Sequence, residues 1–175
     1  NDRTPPTDAQ IRAARRAYYG ATSYVDAQFG SVLAALEQCG FADDTIVIVT
    51  SDHGDMLGER GLWYKMTFFE GGCRVPLIVH APGRFGAARV RGPVSHVDLL
   101  PTLVDLAGAA PAGGWPDPVD GASLVPHLHG TPAHDVALGE YLAEGAVAPV
   151  VMIRRGDWKY VHCPADPDQL YNLAD

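Results

Sequence analysis

The feature that most constrains this chain is a continuous β-branched run, Ile46 to Val49, which is followed closely by Asp52-His53-Gly54. The run has no polar alternation, which is typical of a strand covered on both faces, and it predicts a central strand of a parallel sheet. In open α/β folds, ligands bind in the crevice beyond the carboxyl ends of such strands. We therefore expect Asp52 and His53 to lie at a ligand site.

The pair Asp52 and His53 combines two kinds of metal ligand. A carboxylate is a hard oxygen donor and an imidazole is a borderline nitrogen donor, so together they could hold a divalent cation if other ligands arrive from elsewhere. In the alternative interpretation, Asp52 caps a turn and His53 bonds to the backbone. The tripeptide alone leaves both interpretations open.

Lysine is rare in this chain, which has two lysines against eleven arginines. One of them, Lys65, follows the strand and stands between Trp63-Tyr64 and Phe68-Phe69. We expect these aromatic residues to desolvate the ammonium group and to strengthen its attraction for a phosphate or sulfate oxygen. The alternative is a surface lysine whose stem lies along apolar rings.

Several segments together carry a family resemblance. Ser51-Asp52-His53-Gly54, then Lys65, then Glu70-Gly71-Gly72 and Arg74-Val75-Pro76 resemble the sulfatase family of the alkaline-phosphatase superfamily. The resemblance covers nearly all 175 residues, and within the family the chain most resembles choline-sulfatases. Further matching segments are the helix start Ser95 to Thr102 and the stretches Gly139 to Tyr141, Arg154 to Tyr160 and Asp168 to Leu173.

The resemblance implies an α/β fold, as part of an alkaline-phosphatase-like sandwich with a mainly parallel sheet flanked by helices, plus a small antiparallel C-terminal subdomain. Residues 1–110 would form the C-terminal half of the catalytic domain. The stretch Ala109 to Pro118 is rich in proline, glycine and alanine, and residues 111–135 are interpreted as a linker with a short helical turn. Residues 136–175 would form the antiparallel subdomain, truncated at its end.

Local patterns predict the individual elements. The capping-box pattern Thr7 to Gln10 begins a long amphipathic helix that ends at Gly40. Asp98 is expected to cap the helix that runs from Ser95 to Gly108. The predicted strands are Pro76 to His80, Val136 to Leu142, Val150 to Arg155 and Trp158 to His162, the last two joined as a hairpin through Arg155-Gly156-Asp157.

The resemblance also assigns chemical roles. Asp52 and His53 would complete the shell of a divalent metal, expected to be Ca2+ with Mg2+ or Mn2+ as alternatives. Lys65 would be the catalytic and substrate-binding cation that neutralises charge on the sulfuryl oxygens. Glu70 is expected in a support role, holding Lys65 or Arg74 in place.

The nucleophile of the family has no counterpart here. Sulfatases convert a cysteine or serine in a C/S-x-P/A-x-R motif into formylglycine, and neither Cys39, Cys73 nor Cys163 has arginine four positions on. No serine fits the motif, and the family's N-terminal Asp-Asp ligands are not found before Asp52. We therefore interpret the chain as the C-terminal portion of a longer enzyme, with formylglycine in the missing N-terminal half. The fragment alone is expected to have no turnover.

Glu144 and Glu140 are the candidates for contact with a substrate cation. The segment Gly139 to Gly145 resembles choline-sulfatases, and a carboxylate near aromatic faces suits a trimethylammonium group. Glu144 is the first choice and Glu140 the second, while a purely structural role for either stays open. Five histidines are instead interpreted as structural or solvent-facing, namely His96, His127, His129, His134 and His162.

The resemblance implies a sulfuric ester hydrolase that converts choline sulfate to choline and sulfate and that is a homo-oligomer at full length. The alternatives are a phosphonate or phosphate monoester hydrolase of the same superfamily and a non-catalytic remnant or assembly domain. A net charge of −8 argues against nucleic acid as a partner, and no apolar run approaches the ~20 residues of a membrane span. Three cysteines without a framework spacing favour a reducing compartment, so we expect a cytoplasmic location.

Overall fold

The computed structural model describes residues 4–109, 111, 113–131, 134–143 and 145–174. It divides into two compact units, Asn1–Arg84 and Phe85–Asp175. The predicted boundaries near residues 110 and 135 stay predictions. Throughout the described ranges, no helix combines the length and the apolar character that a membrane crossing requires.

Helix α1, Asp8–Gln38, begins the first unit and confirms the predicted capping box. The Thr7 hydroxyl accepts the Gln10 N–H, and the Gln10 side chain accepts the Thr7 N–H at 2.8 Å. The helix ends at Cys39, followed by Gly40 with a φ of 75°, a left-handed position that suits glycine. No residue of α1 is buried, so its apolar stripe lies on the surface of the described chain.

Strand β1, Val47–Thr50, pairs with β4, Leu77–His80, in antiparallel register. The predicted parallel environment is wrong for this pair, and β1 is half-buried rather than covered on both faces. A parallel partner would need a crossover that returns the chain to the starting end of β1. Instead, residues 51–76 turn back directly and place Leu77 opposite Thr50.

The returning segment contains a hairpin that sequence analysis did not predict. Strands β2, Met56–Leu57, and β3, Trp63–Tyr64, pair antiparallel and are followed by the one-turn helix α2, Glu70–Cys73. The guanidinium of Arg15 in α1 donates to the Leu57 carbonyl at 2.9 Å, which ties the hairpin to the long helix.

The second unit begins with a 3₁₀ turn, His96–Asp98, that leads into α3, Leu99–Leu106. The Asp98 carboxylate accepts the Ser95 N–H at 2.8 Å, so Asp98 takes part in capping as the third residue of a capping box begun by Ser95, and not as the N-cap that was predicted. Helix α4 spans Val125–Leu128. Thr102, only 1% exposed, joins the two helices because its hydroxyl accepts the Leu124 N–H at 2.8 Å and donates to the Asp98 carbonyl at 2.6 Å.

A four-stranded antiparallel sheet completes the second unit, as the sequence predicted for the C-terminal region. The strands are β5, Val136–Tyr141, β6, Val150–Arg155, β7, Trp158–Cys163, and β8, Asp166–Asn172. They pair in the order β5-β6-β7-β8, and the predicted hairpin joins β6 to β7 with Arg155 opposite Trp158. The fourth strand was missed, and a register shift interrupts its pairing between Val161 and Cys163.

Candidate functional site

Asp52 lies just beyond the end of β1, and its carboxylate is exposed to solvent. Oδ1 accepts the backbone N–H of His53 at 3.0 Å, and the side chain is 83% exposed. The hydrogen bond from the His53 backbone lowers the pKa of Asp52. The site therefore contains an ionised, accessible oxygen donor at neutral pH.

His53 has a defined tautomer. Its Nδ1 lies 2.8 Å from the Gly54 carbonyl oxygen, and since a carbonyl only accepts, Nδ1 must carry the proton in this contact. The lone pair then resides on Nε2, which lies 3.3 Å from Oδ2 of Asp52. Two electron-pair donors, one oxygen and one nitrogen, thus lie side by side.

Lys65 contacts the same imidazole ring. Its Nζ lies 3.0 Å from Nε2 of His53, so the ammonium donates to the imidazole lone pair. The structure therefore brings together Asp52, His53 and Lys65, the three residues that the sequence singled out at this loop. Their arrangement, two lone-pair donors and one cation, can hold a divalent cation and an anion next to each other.

The prediction that aromatic neighbours desolvate the Lys65 ammonium group is wrong for the residues that the structure describes. Lys65 is exposed, and the neighbouring Tyr64 is 68% exposed. The ring of Phe69 instead lies under the guanidinium of Arg60, at 4.5 Å from the ring centroid. The backbone explains the difference, because Tyr64 adopts a left-handed φ of 67° that a strand pattern does not predict.

Three glutamates were predicted to support the site or to contact the substrate, and they lie in different segments of the sequence. Glu70 lies 3.8 Å from Arg74, one of the two partners expected for it. Glu140 is exposed in β5 of the second unit, opposite Val151. Glu144 lies outside the described residues. The roles of Glu140 and Glu144 toward a substrate cation stay predictions.

A buried polar cluster was not foreseen as such. The carboxylate of Asp98, 4% exposed, accepts the Ala122 N–H at 3.0 Å and lies 3.2 Å from Nε2 of His134. The ring of His127, 3% exposed, stands edge-on to His134 with 4.8 Å between centroids. Burial lowers the pKa of His127, and the charge of His134 lowers it further. His127 is buried and His134 is half-buried, and no periodicity in the sequence had signalled either position.

The ligand set at the loop is incomplete within this chain. Among the residues that the structure describes, no group of three or more histidine, cysteine, aspartate or glutamate side chains is placed to hold a metal ion. Asp52 and His53 therefore supply two donors, and a complete shell would need ligands from outside the described chain.

Solved structures define the class to which this fold and site belong. The chain superimposes on the phosphonate monoester hydrolase of Silicibacter pomeroyi with a TM-score of 0.83 and 33% identity, over 98% of this chain and 37% of that one. The phosphonate monoester hydrolase of Agrobacterium radiobacter gives a TM-score of 0.82 and 37% identity, over 96% and 36%. The fold is therefore that of the alkaline-phosphatase-like hydrolases.

Sequence comparison narrows the class. The sulfatase family model matches residues 1–109, and the model "N-sulphoglucosamine sulphohydrolase, C-terminal" matches residues 58–175. The chain belongs to the sulfatase family. It is 47% identical over 169 residues to choline-sulfatase of Rhizobium meliloti and 39% identical over 178 residues to arylsulfatase K of Danio rerio. It covers 32% and 33% of those proteins, so it spans about a third of their length.

Proposed function

We propose that this chain is part of a longer enzyme that hydrolyses sulfuric esters, with choline sulfate as the first candidate substrate. The observation that carries the proposal is the convergence of Asp52 Oδ2, His53 Nε2 and Lys65 Nζ on one point. The similarity to choline-sulfatase, at 47% identity, supports the choice of substrate.

The donor pair fits a resident divalent cation. An ionised carboxylate beside a neutral imidazole nitrogen suits Mn2+ as well as the harder ions, and family membership favours Ca2+ or Mg2+. Asp52 and His53 would hold the ion, which when bound supplies electrostatic stabilisation of charge on oxygen. The remaining ligands and the formylglycine are expected from the rest of the enzyme, because no cysteine or serine of this chain stands in the required motif.

Lys65 would act on the ester itself. Its ammonium is exposed, carries three donors and contacts His53 Nε2 in this structure. Nε2 has a single lone pair, so with a cation held there the ammonium would release it and direct its donors to a sulfuryl or leaving-group oxygen. Negative charge grows on these oxygens as the sulfur–oxygen bond to the alcohol breaks, and a fixed cation at hydrogen-bonding distance stabilises that charge. The neutral tautomer of His53 keeps a second positive charge away from Lys65.

A phosphonate monoester hydrolase is the second candidate function. The two solved phosphonate monoester hydrolases match 96% or more of this chain at TM-scores of 0.82 and 0.83. A tetrahedral phosphonate would meet the same Asp52, His53 and Lys65, so these residues do not separate the two reactions.

The test is a comparison of substrates on the full-length protein that contains these residues. Choline sulfate, an uncharged aryl sulfate and an aryl phosphonate monoester are assayed with Ca2+, Mg2+ or Mn2+, and kcat/KM is compared. The proposal predicts the highest kcat/KM for choline sulfate. A preference for the phosphonate would favour the second candidate, and an inactive protein that binds none of the ions would indicate a non-catalytic remnant.

A further inference from the structure

Helix α2 is unusually close to the loop that carries His53. The Gly54 N–H donates to the Gly72 carbonyl at 2.9 Å. A Cβ added at Gly54 would lie 2.2 Å from the Gly71 carbonyl oxygen, a backbone atom that cannot rotate away. Only glycine at position 54 therefore allows the two backbones to touch.

The same short helix touches the segment that carries Lys65. A Cβ added at Gly72 would lie 3.1 Å from the Thr67 carbonyl oxygen and 3.4 Å from the Lys65 carbonyl oxygen. The Thr67 N–H donates to that Lys65 carbonyl at 2.6 Å, so this backbone forms a tight turn. Helix α2 thus lies between the His53 loop and the Lys65 turn.

We propose that α2 is the positioning element that sets the distance between His53 and Lys65, with Gly54 and Gly72 as its two contact points. This inference rests on the proposed function and adds to it residues that touch neither metal nor substrate. The Gly54 carbonyl that accepts Nδ1–H of His53 fixes the ring plane and leaves Nε2 for the metal. Gly72 packs against the turn from Lys65 to Thr67 and so fixes the position of the Lys65 backbone.

The two contact points predict two different defects. A methyl group at position 54 must push the His53 loop away from Gly71, which moves the carbonyl that orients the imidazole. A methyl group at position 72 presses on the Lys65 turn, which moves the ammonium. Metal affinity should therefore depend on Gly54, and affinity for a tetrahedral anion should depend on Gly72.

The experiment compares Gly54→Ala and Gly72→Ala with Gly86→Ala in the full-length protein. Gly86 is the matched control because a Cβ there meets nothing within 4 Å. Calorimetry on metal-stripped protein gives the affinity for Mn2+ and Ca2+, and competitive inhibition by inorganic sulfate gives the anion affinity. We expect Gly54→Ala to weaken metal binding about 10- to 100-fold, the range for groups that orient a metal ligand.

For Gly72→Ala, we expect metal affinity within about threefold of wild type and sulfate inhibition about tenfold weaker. Gly86→Ala should change neither constant. Equal losses of both affinities in the two variants, in proportion to their loss of melting temperature, would overturn the inference and leave α2 a merely structural element.

Two further measurements keep the result decisive. If Gly54→Ala does not fold, Gly71→Ala replaces it as a milder change at the same contact, because its methyl would lie 3.0 Å from Met56 Sδ and 3.5 Å from the Asp55 carbonyl oxygen, directly after Gly54. The ¹⁵N chemical shifts of the His53 ring report its tautomer without any substrate. Either Gly54→Ala or Gly71→Ala should lower the fraction of His53 that carries its proton on Nδ1. A wild-type protein without turnover would refute the proposed function, while the tautomer would still decide the role of α2. An unchanged tautomer together with unchanged metal affinity would contradict the inference.

Discussion

The two units differ in the burial of the polar residues described above. In the first, Asp52 is 83% exposed and Lys65 is exposed, and both lie on loops beside a half-buried strand pair. In the second, Asp98 and Thr102 are each at most 4% exposed and are hydrogen-bonded within the unit. Buried groups with internal partners stabilise a fold, whereas exposed groups with lone pairs or charge remain able to bind a ligand. Under the proposed function, ligand binding would belong to the exposed residues of the first unit, whereas the buried residues of the second contribute to its stability.

The largest effect expected is on activity in the first unit. Replacing Lys65 with methionine should lower kcat/KM of the full-length enzyme about 10²- to 10³-fold, since a cation next to the reacting oxygens is lost. The melting temperature should change little because the side chain is exposed. Steady-state kinetics with choline sulfate and thermal unfolding measure the two quantities.

The control for charge is Arg89→Met, which removes an exposed cation from another part of the chain. It should retain kcat/KM within about twofold. If Lys65→Met and Arg89→Met lower activity equally, the assignment of Lys65 to the anion is wrong.

The next effect is on stability in the second unit. Replacing Asp98 with alanine removes the acceptor of the Ser95 and Ala122 N–H groups and the partner of His134. We expect a loss of about 3 kcal/mol in the free energy of unfolding, because buried donors are left without partners. Urea denaturation measures it.

Asp105→Ala is the comparison for Asp98, since the Asp105 carboxylate bonds the Ser123 hydroxyl at an exposed position. It should cost less than about 1 kcal/mol. Comparable losses for both aspartates would contradict the view that burial gives the Asp98 cluster its importance.

A smaller effect concerns pH. The folded pKa of His127 lies below its ordinary value of about 6.5, because burial disfavours the charged ring. Between the two pKa values the unfolded chain binds more protons, so stability is fully present above about pH 6.5 and falls as the pH is lowered. Melting temperatures between pH 5 and 8 should show this fall.

The variant His127→Gln tests the origin of the pH dependence. It should make the melting temperature less dependent on pH in the acidic range, even if the protein is less stable throughout. An unchanged slope would assign the dependence to other groups and weaken the contrast between the units.

The smallest effect expected concerns the substrate cation. Glu144→Ala should raise the KM for choline sulfate by about tenfold and leave the KM for an uncharged aryl sulfate nearly unchanged, because a carboxylate attracts only the charged substrate. Glu140→Ala serves as the comparison and should do less. If each variant raises the KM for choline sulfate and the KM for the aryl sulfate equally, neither glutamate contacts the substrate cation.

Local signals in the sequence predicted local structure well. Thr7 and Gln10, and likewise Ser95 and Asp98, form capping boxes through residues three positions apart, so their geometry follows from the spacing. The loop after β1 was found for the same reason, since Asp52 and His53 directly follow an apolar run. The contact of His53 with Lys65 was expected only from the family resemblance, because the eleven residues between them permit many paths.

What the sequence could not predict depends on partners and on unusual backbone. The apolar run in Val47–Thr50 indicates burial but does not fix the direction of the partner strand, so the antiparallel pairing was not predictable from it. The β2–β3 hairpin was missed because Arg60 and Tyr64 occupy left-handed positions that usually belong to glycine or asparagine. The burial of His127 depends on chain segments that meet only in the folded unit.

The antiparallel pair β1–β4 also has a consequence for how the loop forms and opens. Thr50 and Leu77 are directly opposite, so the intervening residues 51–76 form one closed loop that contains Asp52, His53, Lys65 and α2. Closing such a loop has an entropic cost that is recovered only when the strands pair. Amide hydrogen exchange in residues 51–76 should therefore be limited by opening of the β1–β4 ladder, so that the loop behaves as a single cooperative unit.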